Sequence, residues 1–475
     1  MSSEKQNQFS LTREALNACG RGKSNLPLRL LKPERNLFRA RLFCAVALGI
    51  GSSFTLAAAT FTDANWTTLG SGMNSTVWAL AASGSNVFAG GAFTTAGGSA
   101  ANYIAKWDGS SWSALGSGMN GIVRALAASG SNVYAGGFFT TADGNPANYI
   151  AKWDGSSWTA LGSGMDNVVR ALAVSGSDLY AGGYFRTATN SGGVAVTVNA
   201  IAKWDGSSWS ALGSGMNSQV YALAVLDSNV YAGGNFTTAG GSSANCIATW
   251  SGTGWSSLGS GMSGGMTSPY VHALAASGSS VYAGGNFFTA GGSAAKYIAK
   301  WNGSSWTALG SGMNSYVDAL AVSGSDLYAG GEFTTAGGSA ANYIAKWSGT
   351  SWSSLGSGMG AGSFPYVYAL AVSGSDMYAG GLFTTAGGKA SAHIARAYLL
   401  PLPTLSILRS GIPQGGIMVS WPSVDTADFA LEQADTLASP ASWLTNPASV
   451  SDDGTSKSVT FPATNSAQFF RLRRP

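Results

Sequence analysis

The sequence predicts an all-β chain made from one repeated four-stranded unit, and three observations carry that reading. The pattern W-x-x-L-G-S-G-M recurs seven times, with its Trp at Trp66, Trp112, Trp158, Trp209, Trp255, Trp306 and Trp352. The spacings of 46, 46, 51, 46, 51 and 46 residues fall in the range of repeat architectures. Each unit holds four short segments, V-x-A-L-A, V-Y-A-G-G-x-F, Y-I-A-K-W and W-x-A-L-G. They are rich in β-branched and aromatic residues and bounded by turn residues, as strands are. The third observation is phase. The series opens with a lone fourth segment at Trp66 and closes with segments one to three at Val367, Tyr378 and Ile394. A solenoid gains nothing from that offset. A ring does, because the opening strand completes the last sheet and removes an exposed edge. The expected fold is therefore a seven-bladed β-propeller with four-stranded blades over residues 60–398.

The elements follow in order. Residues 1–59 read as a leader and signal peptide. Arg35, Arg39 and Arg41 precede an apolar run from Leu42 to about Leu56, and Ala57-Ala58-Ala59 offers a small-residue cleavage site. An uncleaved anchor is the other reading, although the run is short for a membrane span. Ser-Gly-Ser joins segments one and two in six of the units, and Leu226-Asp227-Ser228 does so in the fourth. Asp-Gly after Trp107, Trp153 and Trp204 joins three and four as a tight hairpin. The Gly-Gly pairs, from Gly90-Gly91 to Gly380-Gly381, end a strand instead of opening a helix, so they read as close sheet packing and not as a phosphate cradle. Asp108, Asp154 and Asp205 read as turn residues, not metal ligands. In the seventh unit Ala397 stands where the others place a Trp, as suits a closing sheet. Leu-Pro-Leu-Pro then marks a linker, and residues 399–475 carry the strand-like runs LSILRS, GIMVSWP, FALEQA, SVTFP and FFRLR, expected to form a small β-sandwich.

Composition excludes several classes. Gly supplies 67 of 475 residues without a three-residue period, so collagen is excluded. The net charge of +4 comes from the leader, which holds 9 basic and 3 acidic residues against 16 and 18 in the rest. The body has no basic stripe for a phosphate backbone, so no nucleic acid is expected. Of three cysteines only Cys246 lies beyond the leader, so there is no internal disulfide and no cysteine-based metal site.

Comparing the seven units with one another locates a face. The one-to-two and three-to-four connections keep one length throughout. The two-to-three connection, Phe to Ile, is eleven residues in six units and sixteen in the third. The four-to-one connection, Met to Val, is four in five cases, nine before Val271 and eight before Val367. In an up-and-down blade both variable connections emerge on the same face, where repeat proteins often bind. Point variation agrees. The x of V-x-A-L-A is Trp78, Arg124, Arg170, Tyr221, His272, Asp318 and Tyr368. The x of G-G-x-F is Ala92, Phe138, Tyr184, Asn235, Asn286, Glu332 and Leu382. Arg, Trp, Tyr and Asn around a channel mouth suit planar hydrogen bonding and stacking, as on a glycan or peptide; drift at solvated positions is the alternative.

The repeat V-Y-A-G-G-x-F-T-T-A-G-G…N-Y-I-A-K-W-D-G resembles the propeller repeats of the fungal cortical-polarity-marker family, and more broadly kelch and galactose-oxidase-like propellers. It departs from kelch proper in that Tyr103 and Trp107 are only four apart. The C-terminal S-W-P, L-E-Q and F-F-R-L signatures resemble fibronectin-type modules that end secreted proteins of the Verrucomicrobia and Planctomycetes type, which implies a spacer or surface-retention role.

Catalysis finds little support. Only His272 and His393 occur, too few for a His-rich copper or zinc centre. No nucleophile elbow with a triad stands out. Asp318 and Glu332 are the only acids at the variable positions, and both belong to the sixth unit. The expectation is a secreted or surface-attached, non-enzymatic, monomeric protein. It binds glycan or protein through the loop-variable face, with no cofactor, no metal and no membrane span in the mature chain. An extracellular polysaccharide hydrolase or lyase using the same face, and a purely structural surface protein, are the alternatives.

Overall fold

The structure is a computed structural model that describes residues 61–475, apart from 361, 363, 401, 404, 411–415, 424–428, 435–442, 463–468 and 474–475. The expected leader and its cleavage site lie outside the described residues. These contain strands and two short 3-10 turns but no α-helix, and no helix long and apolar enough to cross a membrane. They divide into two compact units, one of them Phe61–Leu400.

Phe61–Leu400 contains seven four-stranded antiparallel sheets. We number them by their first strands: sheet 1 Val77–Ser83, sheet 2 Val123–Ser129, sheet 3 Val169–Ser175, sheet 4 Val220–Leu226, sheet 5 Tyr270–Ser277, sheet 6 Val317–Ser323 and sheet 7 Tyr366–Ser373. Each first strand packs against the first strands of both neighbours, and that of sheet 7 packs against that of sheet 1. The first strands therefore form a closed inner circle. Trp66–Thr68, the earliest strand described, is the outermost strand of sheet 7, with Trp66 opposite Ala397. The small Ala397 leaves room for the Trp66 ring, which Phe61 meets edge-on at 5.8 Å.

Two contacts, repeated seven times, seal the seams. The first glycine of each Gly-Gly pair abuts the valine of the next sheet. A Cβ on Gly90 would lie 2.4 Å from Val123 Cγ1, and one on Gly380 would lie 2.5 Å from Val77 Cγ1 across the closing seam. Any side chain there would force sheets apart in an interior already at crystal-like density. At the rim, each outer-strand Trp donates its indole N–H to the carbonyl of a Leu in the preceding sheet. Trp112 bonds Leu69 at 3.1 Å, Trp158 bonds Leu115 at 3.0 Å, and Trp66 closes the series on Leu355 at 3.0 Å. The closing strand is pinned further. Asn65 Nδ2 donates to Tyr398 O at 2.9 Å, and the half-buried Lys389 donates from Nζ to the carbonyls of Ala64 and Trp66.

The tight turns behave as their sequences predict. Asp108 accepts the backbone N–H groups of Ser110 and Ser111, both at 2.8 Å. Those bonds hold its carboxyl below the ordinary aspartate range, Ser111 contributing most. A seven-fold feature of the backbone was not legible in the sequence. Tyr103, Tyr149, Ala200, Cys246, Tyr297, Tyr343 and His393, each just before the third strand, all take positive φ near 65°. Such strain persists only where the surroundings fix it. Here the Tyr103 N–H donates to Phe93 O at 2.8 Å while its carbonyl accepts from Gly91 N at 3.0 Å.

The C-terminal residues form two further sheets. One pairs Ser406–Ser410, Gly416–Pro422, Ser456–Pro462 and Ser451–Asp452; the other pairs Leu444–Thr445, Ala430–Ala434 and Phe469–Arg473. One apolar cluster joins them: Val419, Trp421, Val459 and Phe461 from the first, Leu431 and Phe470 from the second. Beside it, the buried Glu432 pairs with Arg471 at 2.6 Å and Arg473 at 3.2 Å.

Candidate functional site

Strand pairing fixes which end of the sheets carries the irregular loops. In each sheet the start of strand one lies opposite the end of strand two, as Val77 lies opposite Gly91. The four-to-one and two-to-three connections therefore emerge together. They are also bonded to each other: Asn74 Oδ1 accepts from Thr94 N and Thr95 N at 2.9 and 3.0 Å. The longer connections obey the same pairing, Met262–Ser263 with Thr289–Ala290 and Met359–Gly360 with Thr385–Ala386. The sixteen-residue connection of sheet 3 is not an open loop but a hairpin, Thr187–Thr189 with Ala195–Thr197, set against Gly164–Met165. Its Asn190 bonds Trp209 N on the outer strand, which directs it to the rim.

The seven x residues of the first strands share a device that the repeat comparison could not reveal. In every sheet the register slips between the valine and the alanine that flank x, so x is the unpaired residue of a β-bulge. A bulge re-aims a side chain and releases it from the ladder. Because the first strands form the inner circle, the seven side chains meet around its mouth.

They meet by binding one another. Trp78 stacks on Tyr368 at 4.2 Å and 25°, while the Arg124 guanidinium sits 3.6 Å above the Trp78 ring. With a tyrosine on one face and a guanidinium on the other, Trp78 has no free face for a sugar ring, contrary to the stacking role expected of it. Burial, and then the charge of Arg170, push the Arg124 pKa down to about 10. Arg170 Nη2 reaches across sheet 4 to His272 Nε2 at 3.0 Å, and His272 Nδ1 lies 2.6 Å from Asp318 Oδ1. A guanidinium can only donate, so Nε2 accepts and the His272 proton is assigned to Nδ1. Tyr221 stands between, 5.6 Å from the Arg170 guanidinium and 5.6 Å from the His272 ring. Its hydroxyl pKa is raised, by burial first and then by Tyr184.

The second variable set divides. Tyr184 joins the Tyr221 cluster at 6.0 Å. Glu332 lies near Asp318, and burial, with the Asp318 charge second, pushes its carboxyl up to about 7. Asn235 and Asn286 instead build loops. Asn235 Oδ1 accepts from Gln219 N at 3.1 Å. Asn286 is 0% exposed and binds Met266 N, Thr267 Oγ1 and Ser268 O of the nine-residue connection. Ala92 is half-buried, while Phe138 and Leu382 point outward, 45% and 40% exposed.

A third variable position escaped the sequence reading. The residue before each valine is Thr76, Ile122, Val168, Gln219, Tyr270, Tyr316 and Tyr366, and its tyrosines ring the mouth. Tyr270 lies 5.6 Å from His272 and 6.0 Å from Tyr316, and Tyr366 lies 6.0 Å from Tyr368. The same comparison of units would have found it.

Beyond the mouth, the large apolar side chains exposed among the described residues of this unit are Phe138, Val194, Met266, Phe288, Phe364 and Leu382. All six belong to two-to-three or four-to-one connections or to the strand end that feeds them. The opposite face carries Ser-Gly-Ser and Asp-Gly-Ser-Ser turns. No group of three metal-ligating side chains occurs among the described residues, and Cys246 is buried, its thiol pushed up to about 12 by burial.

Repeated sheets around a closed inner circle, with irregular loops gathered at one end, define a protein of β-propeller type. The family model described as the Rax2 C-terminal beta propeller domain matches residues 52–229 and 210–372, more than half of the chain, and the chain belongs to that family. This agrees with the cortical-polarity-marker resemblance of the repeats. No curated protein matches the chain. Among solved structures, the crystal structure of the computationally designed Ika4 protein is 22% identical, covering 38% of this chain and 92% of its own, with a TM-score of 0.24.

Proposed function

We propose that residues 60–398 form a seven-bladed propeller that docks a protein partner on its loop face, without catalysis, in a secreted or surface-attached protein. Residues 1–59 serve as its export leader, and residues 399–475 form a fibronectin-like sandwich that spaces or tethers it. The observation that carries this reading is the segregation of the six exposed apolar side chains onto one face. Exposed apolar patches on soluble proteins mark interaction sites. A protein surface suits Phe138, Phe364 and Met266 better than a glycan does, because the mouth aromatic best placed to stack a sugar, Trp78, is covered on both faces. A glycosidase needs carboxylates on opposite sides of the scissile bond, whereas Asp318 and Glu332 come from adjoining strands of one sheet.

The test is site-specific photo-crosslinking to the extracellular proteins of the native host. A photoreactive group at Phe364 or Phe138 is expected to label one defined partner. The same group at Ser156, on the opposite face, is expected to label none. Equal labelling from both faces would overturn the reading. Mass spectrometry of the exported chain checks the leader, with a mature N-terminus expected near Thr60.

A further inference from the structure

We propose that the sheet 6 side of the mouth captures an alkylammonium group, the side chain of a lysine on the docked partner, between Asp318, Glu332 and the tyrosines Tyr270, Tyr366 and Tyr368. This rests on the loop-face reading and names the chemistry of its centre.

Asp318 carries the argument. Its side chain is only 5% exposed. Oδ1 takes the bond from His272, while Oδ2 is buried with no hydrogen-bond partner. A buried carboxylate oxygen without a donor is costly, and it marks the place of a missing donor. The charge around it is also unbalanced. Glu332 is the second carboxyl of the site, and among the described residues neither Arg124 nor Arg170 forms an ion pair with either acid. Arg170 reaches Asp318 only through the His272 ring. The mouth is thus basic on sheets 2 and 3 and acidic on sheet 6.

The walls select among donors. Tyr270 lies 5.6 Å from the His272 ring that bonds Asp318, and Tyr366 lies 6.0 Å from Tyr368; all three hydroxyls are raised, by burial first, with the charges of Asp318 and Glu332 among the further causes. Ring faces beside a carboxylate form the setting in which ammonium groups are recognised. A sugar hydroxyl could satisfy Oδ2 but would bring no positive charge to offset two acids. A metal ion would need more ligands than the site presents. An ammonium has three donors and one charge, enough for Oδ2 and for Glu332.

The experiment uses the full chain and calorimetric titration at pH 8 with Nα-acetyl-lysine methylamide. The neutral control probe is the same molecule acetylated on Nε. Saturable binding of the charged probe is expected. Affinity should fall at least about tenfold for the acetylated probe and for Asp318→Asn, and about threefold for Glu332→Gln, as for removal of a partly buried charge contact. Absence of saturable binding, equal binding of both probes, or unchanged binding by Asp318→Asn would each overturn the proposal. If Asp318→Asn does not fold, the acetylated probe and Glu332→Gln decide it on folded protein. Crosslinking from Phe364 with no lysine binding sinks this proposal and leaves the docking face standing.

Discussion

The seams between sheets and the mouth of the ring are built from the same repeat, yet they differ in what they tolerate. At the seams one glycine meets one valine and one indole meets one carbonyl, seven times, including the place where the two ends of the ring join. At the mouth, seven equivalent bulged positions carry Trp, Arg, Arg, Tyr, His, Asp and Tyr. The difference is one of constraint. A seam residue touches a neighbouring sheet at van der Waals distance, so any change of volume strains two sheets at once. A bulged residue has left the ladder, so its side chain can change without disturbing pairing. The ring is thus a uniform frame whose centre is free to specialise.

The sharpest break of that comparison is at the closing seam. Trp66 is 0% exposed and supplies both the rim hydrogen bond and the core of sheet 7. Trp66→Ala is expected to cost about 3–5 kcal/mol, the range for a fully buried aromatic, read by urea denaturation. A cost below 1 kcal/mol would mean that the ring does not depend on this strand. Next comes Gly136→Ala, whose Cβ would fall 2.5 Å from Val169 Cγ1. Overpacking of this kind costs about 1–3 kcal/mol. The paired change Gly136→Ala with Val169→Ala should recover part of it; no recovery would place the strain elsewhere.

Much of the frame was legible because it is local and repeated. Strand segments, hairpin turns and the offset that puts Trp66 beside Ala397 all follow from composition and spacing. So does the sharing of one face by the variable connections, since alternation of strand direction decides it. What was not legible depends on register and on side chains reaching across sheets. The bulge at Trp78 and its equivalents leaves the V-x-A-L-A pattern unchanged, so the sequence could not show that x is unpaired. The cover over Trp78 comes from Arg124 and Tyr368, residues 46 and 290 positions away. Asn286 looked like a site residue because it varies, but it varies to hold the long connection at Met266–Ser268.

A smaller effect separates the mouth from the frame through pH. Glu332 is protonated more readily in the folded chain than in the unfolded one, its value moving from 4.5 to about 7. The folded state therefore holds a proton that the unfolded state has lost. Stability is greatest below pH 4.5 as far as this group is concerned, falls as pH rises towards 7, and stays lower above it. Burial acts on Glu332 first, and the charge of Asp318, from the first strand of its own sheet, second; Tyr270, Tyr366 and Tyr368 of the neighbouring sheets feel the Glu332 charge in turn. Glu332→Gln should remove the dependence and stabilise the protein at pH 8 by about 1 kcal/mol, once solvent screening of a half-exposed carboxyl is allowed for. A gap at pH 8 that shrinks as pH falls and closes below pH 4.5 is the expected pattern; a constant gap would assign the effect to packing.

The smallest expected change in stability is at the rim of the loop face. Phe138 and Phe364 are 45% and 62% exposed, and neither fills a seam. The double variant Phe138→Ser with Phe364→Ser should unfold within about 0.5 kcal/mol of the parent, as exposed substitutions usually do. It should nonetheless lose the partner that crosslinks from this face, because large apolar side chains dominate the centres of protein interfaces. If the variant instead unfolds easily, those rings belong to the frame, and the division between a fixed seam and a free face fails at its edge. If it is stable and still crosslinks from Met266 as the parent does, the division holds and the contact lies closer to the mouth, where Asp318 and its tyrosines would then carry recognition.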